Sequence, residues 1–556
     1  MRRVRRSAAV AALALLVASA PLAVSVTTEG SGARDSGPPQ APEAVRAVAQ
    51  GPRARGAAEI RLLGVNDLHG YLEKTKESAG AAYLDASMDR YEAQRPERTI
   101  RVHAGDMVSA SPLVSAHFHD EPTVLAMNRM GFDVGTLGNH EFDEGKKEML
   151  RLIDGGQRED AGETSAPGFP GADFPYVAAN TLDPGTSRSV LPPSVVVERD
   201  GVRVGFIGVT TLETPEIILP SAAEEFRFAD ISDTVNEQAA RLEDRGVRAI
   251  VVLAHSGALD TDLGGTADEI VAETKQMGDA VDAVFSGHTH NRLDLRISGK
   301  PVVQAEEYGT HLGVVDLSVD RASGEVRAAE ARIVPVRGGK VSPDPEVARL
   351  VARFAGKVAP ISDRVLGTAS ERITPAPTPA GESSLGDFVA DGQRDLAGTD
   401  FALVPTGGLR TSLAPGPVTY GELFSVQPSG RDLVRMELSG EQVRHALELQ
   451  YRPDGRHHKL AVSGLRFAHD PRRPLGDRVV SLTLPDGGPL DPKRTYSVAV
   501  NGFLAAGGGD FGVFTEGKYR RTVGTDIGAL ARHAGDLPQP FGSPSPLEEP
   551  RVTLRR

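Results

Sequence analysis

The stretch DVGTLGNHEFD, residues 133–143, places a dense run of polar side chains behind a short apolar segment. Its first half has the β-branched, apolar character of a strand, and the glycine that follows marks a turn. Directly after this turn stand an amide, an imidazole and two carboxylates, namely Asn139, His140, Glu141 and Asp143. A surface loop can be equally polar without any function, so the neighbouring strands decide what the stretch means.

Four further predicted strands end in Asp or His in the same way. IRLLGV (60–65) runs into Asp67 and His69, TIRVHA (99–104) into Asp106, RAIVVLA (248–254) into His255, and DAVFS (282–286) into His288 and His290. Taken singly, an Asp-x-His or Gly-Asp sequence is usually a turn. Loops that leave one edge of a sheet converge in space, however, and five such clusters together predict one shared site.

Carboxylate, imidazole and amide groups in this number suit two divalent cations. The chain contains no cysteine, which excludes thiolate ligands, and His-rich ligation is compatible with Zn, Mn, Fe or Co. Four other histidines of the first domain lack a strand-end position: we expect His103 and His311 to be packed or surface residues, and His117 and His119 to lie in a loop. Glu141 is expected to be an acid at a helix N-terminus, where the helix dipole favours it.

Length and composition indicate a protein of ordinary character with two domains, because 556 residues exceed what one hydrophobic core usually organises. The net charge of −13 argues against a nucleic-acid polymer as the partner, since such binders usually carry a basic excess. A small anionic substrate remains compatible with this charge when cations and a few arginines reverse it locally.

From Glu59 onward, short β-rich runs alternate with helical stretches, which predicts an α/β or layered sandwich domain over residues 58–340. A helical stretch at 345–361 predicts a connecting helix within residues 341–365. New strands then follow, so we expect a second, smaller α/β domain over residues 366–540. Residues 541–556 are expected to form a tail.

The N-terminus predicts export. MRRVRR is basic, and the thirteen apolar residues 8–20 fall short of the ~18 or more of a membrane span. We expect residues 1–25 to be a signal peptide and residues 26–57 a disordered linker. The protein is then secreted, without a stable membrane anchor. Nothing in the sequence predicts an oligomeric state.

Taken in order, the clusters D-x-H, G-D, G-N-H-E, H and G-H-x-H resemble the signature of the calcineurin-like metallophosphoesterases. NDLHG, AGDMVSASPL (104–113), GNHEFD and AHSG (254–257) resemble, more narrowly, the secreted 5′-nucleotidase/UDP-sugar hydrolase family. The resemblance implies a four-layer β-sandwich flanked by helices, followed by an α/β substrate-binding domain.

The resemblance also implies roles for the clustered residues. One divalent metal ion would be bound by Asp67, His69 and His290, the other by Asn139, His255 and His288, and Asp106 would bridge the two. His140 would contact the phosphoryl group, and Asp143 would orient His140. Such a pair of cations activates water and neutralises the phosphoryl oxygens.

The second domain resembles the specificity domain of that family less closely. The resemblance assigns substrate binding to Gly407, Gly408, Arg410, Phe503 and Asp510. Three positions depart from the family pattern: Pro405 replaces an Asn, Ser429 replaces a base-stacking Phe, and an extra glycine shifts the usual acid to Asp510. Loss of one stacking face is expected to weaken nucleoside recognition, because each face contributes ~1–3 kcal/mol.

The sequence therefore predicts a hydrolase that acts on nucleoside 5′-monophosphates or related small phosphoesters. A 2′,3′-cyclic nucleotide phosphodiesterase or a UDP-sugar pyrophosphohydrolase of the same fold is the nearest alternative. A catalytically weak extracellular nucleotide-binding protein is the alternative from another class.

Overall fold

The computed structural model describes residues 56–158, 168–258, 268–336, 341–453, 458–543 and 545–555. The predicted signal peptide and residues 26–55 of the predicted linker lie outside these ranges. Within them, no helix has the length and apolar character needed to cross a membrane.

The first domain is built around two six-stranded sheets. Its strands are β1 (Ala57–Val65), β2 (Thr99–His103), β3 (Val134–Thr136), β4 (Tyr176–Val177), β5 (Thr181–Leu182), β6 (Ser194–Arg199), β7 (Val202–Thr210), β8 (Arg227–Phe228), β9 (Ala249–His255), β10 (Ala283–Ser286), β11 (Arg292–Ile297), β12 (Lys300–Ala305), β13 (His311–Asp320) and β14 (Val326–Pro335). One sheet has the order β14-β13-β1-β2-β3-β4 and the other β11-β12-β10-β9-β7-β6.

Helices cover the outer faces of these two sheets. They are α1 (Ala81–Glu92), α2 (Leu113–Ala116), α3 (Glu121–Met130), α4 (Gly145–Asp154), α5 (Thr214–Ile217), α6 (Pro220–Ala223), α7 (Ile231–Asp244) and α8 (Glu269–Gln276). The inner faces pack on each other through side chains such as Leu62, Val102, Phe206 and Val251, all fully buried. The result is the predicted four-layer sandwich.

The strands that lead to the polar clusters are parallel within each sheet. β1, β2 and β3 pair in parallel in the first sheet, and β9 and β10 pair in parallel in the second. Their carboxyl ends therefore lie at one edge of each sheet, as the alternation of strands and helices predicted. All five predicted strands are confirmed to within a few residues at their ends.

A long helix, α9 (Pro345–Ser362), follows the first domain where the connecting helix was predicted. Asp344 caps it by accepting hydrogen bonds from the backbone N–H groups of Glu346 and Val347. Its buried face, Val347, Val351, Phe354 and Val358, has helical spacing and packs into the same core as the first sheet and its helices.

The second domain contains β15 (Val365–Ala369), α10 (Ser384–Ala397), β16 (Phe401–Pro405), β17 (Gly416–Thr419), α11 (Tyr420–Val426), β18 (Asp432–Ser439), α12 (Gly440–Glu448), β19 (Leu460–Ser463), β20 (Arg466–His469), β21 (Val479–Thr483), β22 (Thr495–Asn501), α13 (Gly502–Ala505), β23 (Lys518–Thr525), α14 (Asp526–Asp536) and β24 (Val552–Leu554). Its main sheet has the order β19-β16-β22-β18-β23. Helices α10 and α14 cover one face of this sheet, so the predicted α/β class is confirmed.

Residues 541–556 differ from the tail that the sequence predicted. Within them β24 pairs in parallel with β20, and Glu382 accepts hydrogen bonds from the backbone N–H groups of Arg551 and Val552. Arg551 also forms an ion pair with Asp391 of α10. The segment is too short for a clear strand pattern, and these partners lie 85 to 170 residues away in the sequence.

Candidate metal centre and substrate cavity

The polar clusters at the five strand ends meet in the structure. The side chains of Asp67, His69 and His290 form one group whose potential ligand atoms all lie within 4.8 Å of one another. Asp106, His255 and His288 form a second such group. The parallel strands of both sheets therefore bring together potential metal ligands that are up to 223 positions apart in the sequence.

In the first group, imidazole nitrogens and carboxylate oxygens point at a common centre. The Nε2 atoms of His69 and His290 are 3.2 Å apart, and Nε2 of His290 is 3.4 Å from Oδ1 of Asp67. Nε2 of His69 is 3.7 Å from Oδ2 of Asp106. The carboxylate of Asp106 therefore belongs to the edge of this group as well.

In the second group, His255 lies at the centre. Its Nε2 is 3.1 Å from Oδ2 of Asp106 and 3.1 Å from Oδ1 of Asn139. The rings of His255 and His288 have centroids 5.4 Å apart. Because one oxygen of Asp106 faces both His69 and His255, Asp106 occupies the position between the two groups.

The backbone at these strand ends is strained. Positive φ angles occur at Asp67 (51°), His69 (46°), Asp106 (51°), His288 (80°) and His290 (58°). Residues other than glycine rarely adopt this region, and such strain concentrates at functional sites, where the surrounding structure holds it. Five of the seven predicted metal ligands are therefore fixed in a costly conformation that aims their side chains inward.

Two glycines allow the loops behind β2 and β3 to approach each other. A Cβ on Gly138 would lie 2.1 Å from Oδ1 of Asp106, and a Cβ on Gly105 would lie 2.5 Å from the backbone nitrogen of Gly138. Contacts this short do not occur between real atoms, so only glycine fits at both positions. The turn glycine in GTLGNHE is thus required by the approach of Asp106.

Glu141 has a different role from the one that the sequence suggested. Its carboxylate is buried and accepts hydrogen bonds from the backbone N–H groups of Asp106, Met107 and Gly138. It therefore ties the loop behind β2 to the loop behind β3, directly beneath Asp106. The sequence-based interpretation as a helix N-terminal acid is wrong, because the turn here is a short 3-10 helix, His140–Phe142, and Glu141 faces the neighbouring loop.

His140 and Asp143 form the predicted pair. Nδ1 of His140 donates to Oδ2 of Asp143 at 2.8 Å, and the backbone N–H of His140 donates to Oδ1 of Asp106 at 2.8 Å. On its other side, Nε2 of His140 accepts a hydrogen bond from Nη2 of Arg410 at 2.5 Å. Burial lowers the pKa of His140, but the carboxylates of Asp143 and Asp106 outweigh it and raise the pKa above its ordinary value.

The donor set fits divalent cations. Nδ1 of His69 donates to the carbonyl of Ser109 and Nδ1 of His255 to the carbonyl of Ala104, which leaves Nε2 of both rings as the free donor atom for a metal. Burial lowers the pKa of His69 well below its ordinary value, so this ring is neutral, the form that a metal binds.

The charges in the second group also fit a divalent cation. Burial would raise the pKa of Asp106, but His255 and His140 hold it well below its ordinary value. Burial lowers the pKa of His255, yet Asp106 and Asp67 outweigh it and raise the pKa to about 10. The buried carboxylate of Asp106 thus favours a proton on His255, at the position where a cation would sit. A bound metal ion would take the place of that proton.

Glu213 belongs to the centre and was missed in the sequence. Its Oε2 is 3.0 Å from Nε2 of His288. A carboxylate that accepts an imidazole N–H in this way fixes the ring and raises its basicity as a metal ligand. Glu213 follows β7, which pairs with β9 in parallel, so its place just behind a strand end was the available signal.

A cavity of about 350 Å³ lies between the metal centre and the second domain. Asp106, Asn139, His140, His288 and His290 line it from the first domain, and Pro405, Thr406, Gly407, Gly408, Arg410, Ser429, Arg431, His458, Lys459, Asn501, Phe503, Gly509 and Phe511 line it from the second. Of the predicted substrate-binding residues, Gly407, Gly408, Arg410 and Phe503 are therefore in place.

Asp510 does not line this cavity. Its carboxylate forms an ion pair of 2.6 Å with Arg452, and Arg452 in turn forms an ion pair of 2.8 Å with Glu216 of the first domain. The predicted substrate-binding role of Asp510 is not supported by this placement. The extra glycine that shifts the acid explains the difference, because Gly509 takes a positive φ of 66° just before it.

His103 and His311 are packed residues, and His117 and His119 lie in a turn, as expected. His103 is fully buried and packs edge-on against Phe132, Phe174 and Tyr176. His311 forms an ion pair with Glu306 at 2.9 Å.

Comparison with known proteins agrees with this architecture. The calcineurin-like phosphoesterase profile matches residues 60–292, and the profile of the 5′-nucleotidase C-terminal domain matches residues 365–516. The endonuclease YhcR of Bacillus subtilis is 34% identical over 465 residues, which are 81% of this chain but 37% of YhcR. The chain thus spans little more than a third of that relative.

Two further proteins match over most of their length. The cell wall protein Lmo0130 of Listeria monocytogenes is 32% identical over 538 residues, which are 87% of this chain and 68% of Lmo0130. The crystal structure of a 5′-nucleotidase precursor from Thermus thermophilus has a TM-score of 0.76 at 28% identity, covering 89% of this chain and 99% of that one.

Proposed function

The chain belongs to the calcineurin-like phosphoesterases that carry a 5′-nucleotidase C-terminal domain, and on that premise we propose that it releases phosphate from nucleoside 5′-monophosphates. Members of this family are phosphoric ester hydrolases that use divalent metal ions. The observation that carries the proposal is the contact of Arg410 with His140, because it places a cation of the second domain beside the metal centre.

Seven side chains would hold two cations: Asp67, His69 and His290 the first, Asn139, His255 and His288 the second, with Asp106 between them. When bound, such cations supply an activated water and neutralise charge on the phosphoryl oxygens. The ligand set is compatible with Zn, Mn, Fe or Co.

His140 and Arg410 would receive the phosphoryl group. The contacts of His140 with Asp143 and Arg410 suit the imidazole in its neutral form, which would donate through Nδ1 and accept through Nε2. An anion that enters between the two side chains would favour a proton on Nε2, because it compensates the second positive charge. His140 would then donate from Nε2 to the phosphoryl group as negative charge develops, while Asp143 holds the ring.

The organic part of the substrate would lie against the second domain. Phe503 and Ser429 both line the cavity, and the family resemblance assigns base stacking to Phe503 and a second aromatic ring, absent here, to position 429. One stacking face instead of two lowers affinity for a nucleoside by ~1–3 kcal/mol. We therefore expect a KM for AMP that is higher than with a two-sided stack.

A substrate panel tests the proposal. The metal-loaded protein would be assayed for hydrolysis of AMP, UDP-glucose, 2′,3′-cyclic AMP and a generic aryl phosphate. We expect the highest kcat/KM with AMP. A clear preference for UDP-glucose or for the cyclic nucleotide would replace the proposal with the pyrophosphohydrolase or the phosphodiesterase of the same fold.

A binding protein without catalysis is the alternative from another class. The departures at Pro405 and Ser429 favour it, whereas the intact metal-ligand set and the His140–Asp143 hydrogen bond favour an enzyme. Protein that retains two cations yet releases no phosphate from any member of the panel would establish the binding protein.

Export is part of the proposal and rests on residues 1–25 of the sequence. Mass spectrometry of the protein recovered from the medium of an exporting bacterial host would test it. We expect a mature N-terminus close to residue 25, and recovery of the uncleaved chain inside the cell would contradict this.

A further inference from the structure

Arg431 is a cation of the substrate cavity that forms no ion pair with the described residues. Its side chain lines the cavity, and its guanidinium lies 5.4 Å from the ring centroid of Phe503. Nη1 is buried and has no hydrogen-bond partner, and no carboxylate of the described residues lies within ion-pair distance of Arg431. The buried carboxylate of Asp526 nevertheless interacts with its charge: burial raises the pKa of Asp526 to about 6, and Arg431 opposes that rise. A buried guanidinium N–H left unpaired is costly, and a ligand atom that reached Nη1 would relieve that cost.

Lys459 is a second cation of the same cavity. Its Nζ lies 4.4 Å from the ring centroid of Tyr451, and the described part of the chain supplies no ion pair to it. Burial and the charge of Arg478 lower the pKa of Lys459 to about 8, so the side chain remains mostly protonated at pH 7. Arg410 is a third cation here, but it contacts His140.

The carboxylates nearby are already neutralised. Glu216 lines the cavity, but it forms an ion pair with Arg452, which also binds Asp510. Among the described residues, neither Arg431 nor Lys459 therefore forms an ion pair in the half of the cavity that belongs to the second domain, although the buried carboxylate of Asp526 interacts with the charge of Arg431. One phosphoryl group beside Arg410 and the metal centre leaves both of these cations unsatisfied.

We propose that Arg431 and Lys459 form a second anion subsite, and that the preferred substrate is a nucleotide with a second phosphate on its ribose, in addition to the 5′-phosphate that is removed. This inference rests on the proposed function. A guanidinium binds phosphate oxygens through parallel hydrogen bonds, which Arg431 can supply next to Phe503. The ribose lies between the 5′-phosphate and the base, so a phosphate on its 2′ or 3′ oxygen shares the cavity with both.

The test compares kcat/KM for AMP, adenosine 3′,5′-bisphosphate and ADP with the metal-loaded protein. ADP carries the same number of phosphates as the bisphosphate, but both lie on the 5′ side. We expect the bisphosphate to exceed AMP and ADP by about tenfold or more, as a charge-assisted hydrogen bond to a buried group implies. Arg431→Gln and Lys459→Gln should each lower the ratio of bisphosphate to AMP, and the double variant should bring it close to one.

Two exposed residues of β23 provide matched controls. Arg521→Gln and Lys518→Gln remove the same charges outside the cavity and should leave the ratio unchanged. Equal kcat/KM for AMP and the bisphosphate, an equal advantage for ADP, or a preference that survives in the double variant would each overturn the inference while AMP hydrolysis still supports the proposed function. No phosphate release from any of the three would overturn the proposed function itself.

Discussion

His140 stands where the two domains meet. Asp143 holds its Nδ1, Arg410 of the second domain contacts its Nε2, and its backbone N–H donates to Asp106. None of these contacts requires His140 to bind a metal. In the proposed function, the side chain is thus available to act on the phosphoryl group while other residues hold the cations.

Replacing His140 by alanine should therefore separate catalysis from metal binding. We expect His140→Ala to lower kcat for AMP by about a hundredfold to ten-thousandfold, the usual contribution of a general acid–base group. Metal content, measured by inductively coupled plasma mass spectrometry, should stay that of the wild type. His445→Ala, at an exposed position of α12, is the control and should leave kcat unchanged. Normal turnover by His140→Ala would refute the assigned role.

Glu213 should act through His288. A carboxylate that accepts Nε2–H leaves the lone pair of the ring on Nδ1, and loss of such a partner typically costs about 10–100-fold in metal affinity. We expect Glu213→Gln to lower the affinity for one of the two cations by that factor, as measured in a chelator-competition titration. Glu237→Gln, exposed on α7, should bind both cations as the wild type does. If Glu213→Gln bound both cations with wild-type affinity, the contact between Glu213 and His288 would not contribute to metal binding.

The loops behind β2 and β3 act as one unit because Glu141 joins them. Three buried backbone N–H groups depend on its carboxylate, and each unpaired buried donor costs about 1–3 kcal/mol. The strain stored at the strand ends needs such support, since the positive φ at Asp106 persists only where its surroundings hold it.

Glu141→Ala should accordingly destabilise the protein. We expect the free energy of unfolding, measured by urea denaturation, to fall by about 2–5 kcal/mol, because several amide donors lose their acceptor at once. Glu144→Ala removes an exposed acid three positions on and should change it by less than about 0.5 kcal/mol. A Glu141 variant as stable as the control would mean that water replaces the carboxylate without cost.

Sequence alone predicted the strands and the convergence of the polar residues behind them, because both leave local signals. Parallel strands of β-branched residues must deliver their following loops to one edge, so the distance between Asp67 and His290 in the chain did not obscure their contact. Glu141 and Arg431 were not predicted, since a glutamate that binds backbone amides of another loop and an arginine that lines a cavity look like ordinary surface residues in a sequence. Their roles depend on the three-dimensional approach of distant segments.

At the scale of the whole molecule, polar contacts between described residues join the domains at the cavity. Besides Arg410 and His140, Arg452 of the second domain forms an ion pair with Glu216 of the first, and its side chain is only 12% exposed. Asp510 holds Arg452 from the other side. This arrangement fixes the second domain over the metal centre.

Arg452→Met should therefore loosen the contact between the domains. We expect KM for AMP to rise by about three- to tenfold with a smaller change in kcat, since breaking a partly buried ion pair costs on the order of 1 kcal/mol. The radius of gyration from small-angle X-ray scattering should also increase. Arg532→Met, at an exposed ion pair of α14, is the control. Unchanged KM and radius would show that other contacts set the domain arrangement.

Cation stoichiometry tests the central claim most directly. Wild-type protein and Asp106→Asn would be stripped with a chelator, reloaded with Mn²⁺, desalted and analysed for metal per chain. We expect about two cations per wild-type chain, and fewer than about one in Asp106→Asn, because the bridging carboxylate contributes to both positions. A wild-type chain that retains no cation, or an Asp106→Asn chain that retains two as tightly, would contradict a dinuclear centre at these strand ends.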